Sequence, residues 1–280
     1  MRAPSALMFA SLLLCGAAGN SSAADDKPVR ELEPVHVNAM RNPEVRKYKV
    51  ILAGLDAFDK HHALAPAAER LQFRLSTRKK DESPEPLAAR LVGDGAFKLP
   101  IAIGADGRFT VPRSEAAEDA NSELELNRKR RVYRTEPEVR TPGLPAHQRR
   151  LGDLRLECKV TIAMAKEEIP LFFVLTINTI LMRTDWCGFF GDQNDTRFEG
   201  ASRTAHFSYH AERPLAGAIL VEGNRSAKLD VQKEQFEVPI GNMSWSDDAI
   251  VELTYAAPAE PAEPAAPATE TAGETPRTAP

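Results

Sequence analysis

Two stretches of this chain can be written over each other, and that self-similarity restricts the fold more than any other feature of the sequence. The first, PLAARLVGDGAFKLPIAIGADGRFTVP, occupies residues 86–112; the second, PLAGAILVEGNRSAKLDVQKEQFEVP, occupies residues 214–239. Leu91-Val92 lies over Leu220-Val221, Lys98-Leu99 over Lys228-Leu229, and Phe109-x-Val111-Pro112 over Phe236-x-Val238-Pro239. Twelve residues after each closing proline comes an alternating segment, Leu124-Glu125-Leu126 in one case and Val251-Glu252-Leu253 in the other. Colinear matches with equal downstream spacing exceed what hairpin alternation requires, and the small indels fall in turns, where insertions are tolerated. Self-similarity of this kind predicts one structural unit built twice. The expected organisation is a first module over 30–127, a basic connector over 128–150 and a second module over 151–255.

Period-two alternation bounded by Gly, Asp and Pro places the strands. In the first module these are 71–77, 87–92, 97–103, 108–111 and 123–127; in the second, 154–162, 206–210, 218–221, 227–231, 235–238 and 250–255. Gly104-Ala105-Asp106-Gly107 reads as a turn because glycine adopts positive φ without steric cost. A helix opens the first module: Asn42 suits the cap, Pro43 the first turn and Glu44 the dipole. Val45, Tyr48, Ile51, Leu52, Leu55 and Phe58 then recur at three- and four-residue spacing, an apolar stripe that must lie on a sheet. By analogy the second helix falls between Lys166 and Met182, although Phe172, Val174, Thr176, Ile177 and Ile180 prefer strands. The fold class expected is α+β and β-dominated, two tandem small antiparallel-sheet modules with about one helix each.

The ends of the chain carry different information. Arg2, an apolar run over 6–18 and the small residues before Asp25 have the order of a secretory signal cleaved near Ala24. Residues 1–24 are therefore expected to be removed, placing the mature protein in the periplasm or outside the cell. The run 169–182 is too short to span a bilayer, which takes ~20 residues, and holds Pro170, Thr176, Asn178 and Thr179, so it reads as core. Beyond residue 255, Ala, Pro, Glu and Thr dominate and Pro258, Pro261, Pro264 and Pro267 recur every third position; 256–280 is expected to be a disordered, extended tail. Two cysteines remain after processing, Cys158 and Cys187, and in an oxidising compartment an even pair reads as a disulfide.

Local motifs for chemistry are not found. His206 and His210 share one face of a strand with Cα atoms ~13 Å apart, too far to hold one ion, and no metal or cofactor is expected. Asp192-Gln193-Asn194-Asp195 opens like a calcium loop but has Arg197 at the sixth position and Arg203 at the twelfth. Gly200-Ala201-Ser202-Arg203-Thr204 lacks the closing glycine of a nucleophile elbow, and Gly93-Asp94-Gly95 is a turn between strands. The triplets at Asn194, Asn224 and Asn242 matter for glycosylation only in a eukaryotic host.

Charge supplies the remaining clue. Removing residues 1–24 turns a net charge of −4 into −5, yet Arg128, Lys129, Arg130, Arg131, Arg134, Arg140, Arg149, Arg150 and Arg155 cluster between the modules against only Glu136, Glu138 and Asp153. Guanidinium groups match carboxylate and phosphate geometry, so Arg128, Lys129, Arg130, Arg131, Arg134, Arg149 and Arg150 are the candidate residues for an anionic partner. The competing explanation is a solvated edge hairpin whose like charges discourage sheet-to-sheet association. Export removes nucleic acid as the usual partner. The expectation is a non-catalytic binding or structural protein of a bacterial periplasm or cell envelope, its partner an envelope protein or an anionic surface component. The alternatives are a secreted hydrolase, which requires a pocket with converging polar groups between the modules, and an accessory subunit of an envelope complex.

Overall fold

The computed structural model describes residues 42–191 and 206–257, which belong to one compact unit. The expected signal over 1–24, the segments at 192–195 and 200–204, the triplet at Asn194 and the expected tail beyond Ala257 lie outside the described residues. Within them the protein is a β-rich α+β fold with four antiparallel sheets.

In the first half, β1 (Pro43–Lys47) runs directly into α1 (Tyr48–Lys60), followed by β2 (Gln72–Thr77), β3 (Ala89–Val92), β4 (Lys98–Ile101), β5 (Arg108–Phe109), α2 (Glu115–Asp119), β6 (Glu123–Lys129) and β7 (Tyr133–Glu138). In the second, β8 (Gln148–Arg150) runs into α3 (Leu151–Glu168), followed by α4 (Leu171–Leu181), β9 (Phe207–His210), β10 (Leu215–Glu222), β11 (Arg225–Leu229), β12 (Val231–Gln232), β13 (Gln235–Val238) and β14 (Ile250–Tyr255). The larger sheet of the first half has the order β1-β6-β3-β4; that of the second, read from its other edge, is β8-β14-β10-β11. Register agrees as well as order. Leu91 faces Leu124 and Leu220 faces Val251, while Arg90 faces Glu125 and Ile219 faces Glu252.

The smaller sheets, β5-β2-β7 and β12-β13-β9, share a pair. Phe109 lies opposite Phe73 and Phe236 opposite Tyr209, with ring centroids 5.7 Å apart in both pairs and planes at 27° and 28°. All four rings are buried. The Lys-Leu match departs from this agreement: Leu99 faces Leu91, but the residue facing Leu220 is Ala227, so Leu229 sits two positions from the place the sequence overlay gives it. A shift of two keeps the side chain on the same face of a strand, and the hairpin loops differ in length, with a short 3₁₀ turn at Asp94–Ala96 in the first half and a tight turn at Gly223 in the second.

Three expectations are corrected. The apparent cap at Asn42-Pro43-Glu44 does not start a helix: Asn42 has φ 68°, Pro43–Lys47 is β1 paired to β6, and α1 begins at Tyr48. Segment 154–162 is helix, not strand. Leu151, Leu154 and Cys158 enter the second core while Leu156, Val160 and Met164 enter the first, so two helical stripes on opposite faces add up to a false alternation. The second half's counterpart of α1 is therefore α3, directly after β8, and not a helix between 166 and 182. The third correction concerns 169–182, which folds as α4 yet leaves most of its apolar side chains in solvent.

α1 and α3 pack tightly against each other. A Cβ on Gly54 would sit 2.9 Å from Met164 Sδ and 3.3 Å from Val160 Cγ1, so glycine there sets how closely the helices approach. The segment expected as a connector is divided between the halves: Arg128 and Lys129 end β6, β7 extends the sheet of β2, and residues 148–150 pair with β14. Cys158 and Cys187 form a disulfide with Cα atoms 6.0 Å apart, tying the segment after α4 back to α3.

Candidate functional site

β7 and β9 are edge strands of the two smaller sheets, and beside the flank of α3 they enclose a cavity of about 200 Å³ lined by Arg74, Glu136, Glu138, Arg149, Glu157 and Tyr209 among others. Arg74 and His210 also line a wider polar trough of about 740 Å³ between β2 and the β12–β13 hairpin, where Arg78, Arg108, Arg134, Glu212 and Lys233 are found. The trough collects side chains from both halves.

A chain of ion pairs lines the smaller cavity. The Arg149 guanidinium is buried and donates to the Glu157 carboxylate and to the Val139 carbonyl, 3.0 Å away. The Val139 N–H donates to the same Glu157 oxygen at 2.7 Å. Arg149 Nε has no hydrogen-bond partner among the described residues. Burial, with the charge of Glu138, pushes the Glu157 carboxyl up to about 7 against the pull of Arg149. Burial also raises Glu138, but Arg108, donating at 2.5 and 3.1 Å, and the nearby Arg149 and Arg74 outweigh it and hold Glu138 below the usual carboxylate range. Glu136 is likewise raised by burial and brought below that range by His210 Nδ1 at 2.8 Å, with Arg134 and Arg74 adding to the pull.

Several contacts cross from one half to the other. Arg74 donates to the His210 carbonyl at 2.6 Å, Arg108 to Glu212 at 2.5 Å, and His210 meets Glu136. His210 Nε2 lies 2.7 Å from Gln235 Nε2, so both ring nitrogens are engaged. The Tyr209 hydroxyl donates to the Leu154 carbonyl at 2.5 Å, and burial raises its pKa well above that of a free phenol. A general acid or base needs a lone pair or proton directed at a reactant. The carboxylates and the phenol here are directed at protein groups, and the arrangement acts as a polar latch.

The sequence-derived basic residues fall into three places. Arg128 is buried and pins the loop before β3, donating to Asp81 at 2.6 Å, to the Glu85 carbonyl at 2.6 Å and to the Asn127 carbonyl at 2.8 Å. Arg149 belongs to the latch, and Arg150 donates to Asp248 at 2.8 Å and to the Leu64 carbonyl. Lys129, Arg130 and Arg131 are exposed at the turn from β6 to β7. Arg134 alone of the seven reaches the trough, 3.7 Å from Glu136. Arg155, also counted in the basic run, is buried and holds the carbonyls of Ile240, Asn242 and Trp245 at 2.9 to 3.0 Å.

The seven do not form one patch, because alternate residues of a strand face opposite ways and two turns separate the strands. Arg74, Arg108, Glu138 and Glu157 were not legible as a site, being scattered over four elements. The available signal was Glu157 itself, a carboxylate in the segment 154–160 where Leu154, Leu156, Cys158 and Val160 alternate with charged residues. His206 lies with Asp230 and Glu237, each offering one ligand atom within 4.8 Å of the others, and His206 Nδ1 is 3.7 Å from Glu237. Comparison with known protein families, with curated proteins and with solved structures finds no match to this chain.

Proposed function

We propose that this protein is an exported, non-catalytic binding or structural protein of a bacterial periplasm or cell envelope, and that its two halves are copies of one folding unit. A single observation carries the non-catalytic part: the ionisable groups that converge between the halves engage one another, so they fix the geometry of the trough and leave its rim to recognise a partner. The rim offers exposed Arg78 and Lys233 and half-buried Arg134 beside the acids Asp106, Glu212 and Glu234; Asp106 and Glu212 are paired with Arg108, which leaves the cations to an anionic surface component or an acidic segment of an envelope protein. The matching strand order and the paired Phe109 and Phe236 stacks support the copies; the disulfide supports an oxidising compartment.

The test is cross-linking in the native cell from a photoreactive residue at Gln232, on the trough wall. A partner captured there and lost when Arg78, Arg134 and Lys233 are changed to Glu supports the reading. Capture unaffected by charge reversal removes the anionic partner.

The hydrolase alternative has two observations in its favour, the polar trough of about 740 Å³ between the halves and the Glu157 carboxyl raised to about 7 beside the smaller cavity. Against it, Arg149 and the Val139 N–H cover that carboxyl, and the cavity is smaller than the ~300 Å³ at which ligand pockets begin. Hydrolysis of chromogenic esters or glycosides by the purified protein, abolished in Glu157→Gln, would establish the enzyme instead.

A further inference from the structure

Between α1 and β2 the first half has only residues 61–71, whereas between α3 and β9 the second half has residues 169–206. The added segment carries α4, and the Cys158–Cys187 disulfide holds it to α3. Pro170 and Met182 flank α4 as its caps, and Met182 takes the left-handed conformation with φ 50°. From Ile169 to Met182 the chain has no ionisable residue.

Of the α4 side chains only Val174 is fully buried. Leu171 is 71% exposed, Phe172 70%, Phe173 54%, Leu175 55%, Ile180 55% and Met182 72%. At 100° per residue these positions, with Thr176 and Thr179 between them, cover an arc of roughly 200°. The two threonines do not interrupt it: Thr176 Oγ1 donates to the Phe172 carbonyl at 2.8 Å and Thr179 Oγ1 to the Leu175 carbonyl at 2.9 Å. Their hydroxyls are satisfied inside the helix, which leaves the methyl groups outermost. Asn178 faces inward and accepts from Trp186 Nε1 at 2.8 Å.

We propose that α4 lies in the surface of a lipid bilayer, parallel to it, with this apolar arc immersed in the acyl chains. Eleven residues make a helix of about 16 Å, half of the ~30 Å hydrocarbon core, and among the described residues no helix is long and apolar enough to cross a membrane. A helix that docks in a protein groove uses a stripe about 100° wide with anchors at fixed spacing. An arc twice that width, without a donor or acceptor to set register, matches an isotropic apolar medium. A second copy is the weaker occupant, because a footprint of roughly 16 by 10 Å falls far below the ~800 Å² per partner of a stable dimer. Charge contributes little: Lys166, at the near end, donates to the Thr184 carbonyl at 2.7 Å and stacks on Trp186. Binding should therefore resist salt. This surface is separate from the trough, so either reading can fail alone.

The experiment is co-flotation of the mature protein with phosphatidylcholine vesicles. Wild type should float, undiminished in 1 M NaCl, and Phe172→Ser/Phe173→Ser should weaken partitioning more than tenfold. Met243→Ser, at a residue 75% exposed elsewhere on the surface, should leave it unchanged. Circular dichroism checks that each variant folds. Failure of wild type to float, or equal flotation of the double variant, overturns the proposal. So does a dimer that Phe172→Ser dissociates, which assigns the face to a second copy. Phe172→Trp fluorescence that is already blue-shifted without vesicles likewise overturns it, by assigning the face to another segment of the chain.

Discussion

Arg46 and Arg149 hold the same place in the two halves, one residue before the end of the strand that enters the helix, opposite Leu124 in one sheet and Val251 in the other. Their environments differ. The Arg46 side chain is 30% exposed and pairs with Glu168 at 3.1 Å, whereas that of Arg149 is 6% exposed and pairs with an equally buried Glu157. Continuing the same correspondence into the helices sets Gly54 against Glu157, and those helices lie against each other. One framework thus uses a position for a surface ion pair in one half and for a buried one in the other. What differs is the surroundings: α1 is covered by its own sheet and by α3, while α3 separates two cores. A buried pair at that junction contributes little net stability but is costly to break.

The largest expected effects test whether the halves are equivalent where they look alike. Phe109→Ala and Phe236→Ala should each cost about 3–5 kcal/mol by denaturant unfolding, since each empties the partner of a buried ring pair. Equal losses sharpen the comparison; a Phe236→Ala loss below half that of Phe109→Ala breaks it.

Next come the positions where the halves differ. Measured above pH 8, Arg149→Met leaves the buried Glu157 carboxyl without its cation and should cost about 3–5 kcal/mol, while Arg46→Met removes a pair open to water and should cost at most about 1 kcal/mol. Adding Glu157→Leu to Arg149→Met should recover most of the loss, and similar costs for the two single variants would show that burial does not separate them. The disulfide has no counterpart in the first half. Changing Cys158 and Cys187 together to Ala opens a loop with a sequence separation of 29 and should cost about 3–4 kcal/mol on the chain-entropy view. Hydrogen exchange should quicken in 169–191 and stay unchanged in 48–60; quickening in both would mean that the bridge stabilises the whole interface.

The same comparison explains what the sequence made legible. Strands with one face on a core alternate cleanly, and β2, β3, β4, β6, β10, β13 and β14 lie where alternation puts them. β1, β7 and β8 were missed: Pro43-Glu44-Val45-Arg46-Lys47, Tyr133-Arg134-Thr135-Glu136-Pro137-Glu138 and Gln148-Arg149-Arg150 are edge strands rich in charge, whose strand character comes from their neighbours and not from propensity. α3 was misread because burial on two sides erases the one-sided stripe by which helices are recognised. Of the site, sequence found Arg149 but neither Arg74 nor Arg108, which meet Glu138 through strand pairing, and it did not find Glu157, which meets Arg149 where β8 runs into α3. α4 was read as core on composition, and composition does not say whether an apolar helix is covered.

The smallest effect concerns pH, and here the latch separates into opposing contributions. Glu136 and Glu138 are held below the ordinary carboxylate range, so the stability they bring is present above that range and is lost as pH falls through their lowered pKa values. Glu157 works the other way. Its folded-state pKa of about 7 exceeds that of the unfolded chain, so the folded protein binds the extra proton between about 4.5 and 7, and the stability linked to it disappears as pH rises through 7. Between pH 5 and 8 the unfolding free energy should therefore decline with rising pH and level off above 7, with a modest slope because Arg149 and the Val139 N–H oppose burial. Glu157→Gln keeps the shape and cannot titrate, so the difference between wild type and variant isolates this carboxyl from the histidines. A wild-type slope that persists unchanged in Glu157→Gln would place the titrating group elsewhere, and a rise in stability from pH 5 to 7 would mean that Arg149 outweighs burial and the buried pair is ionised throughout.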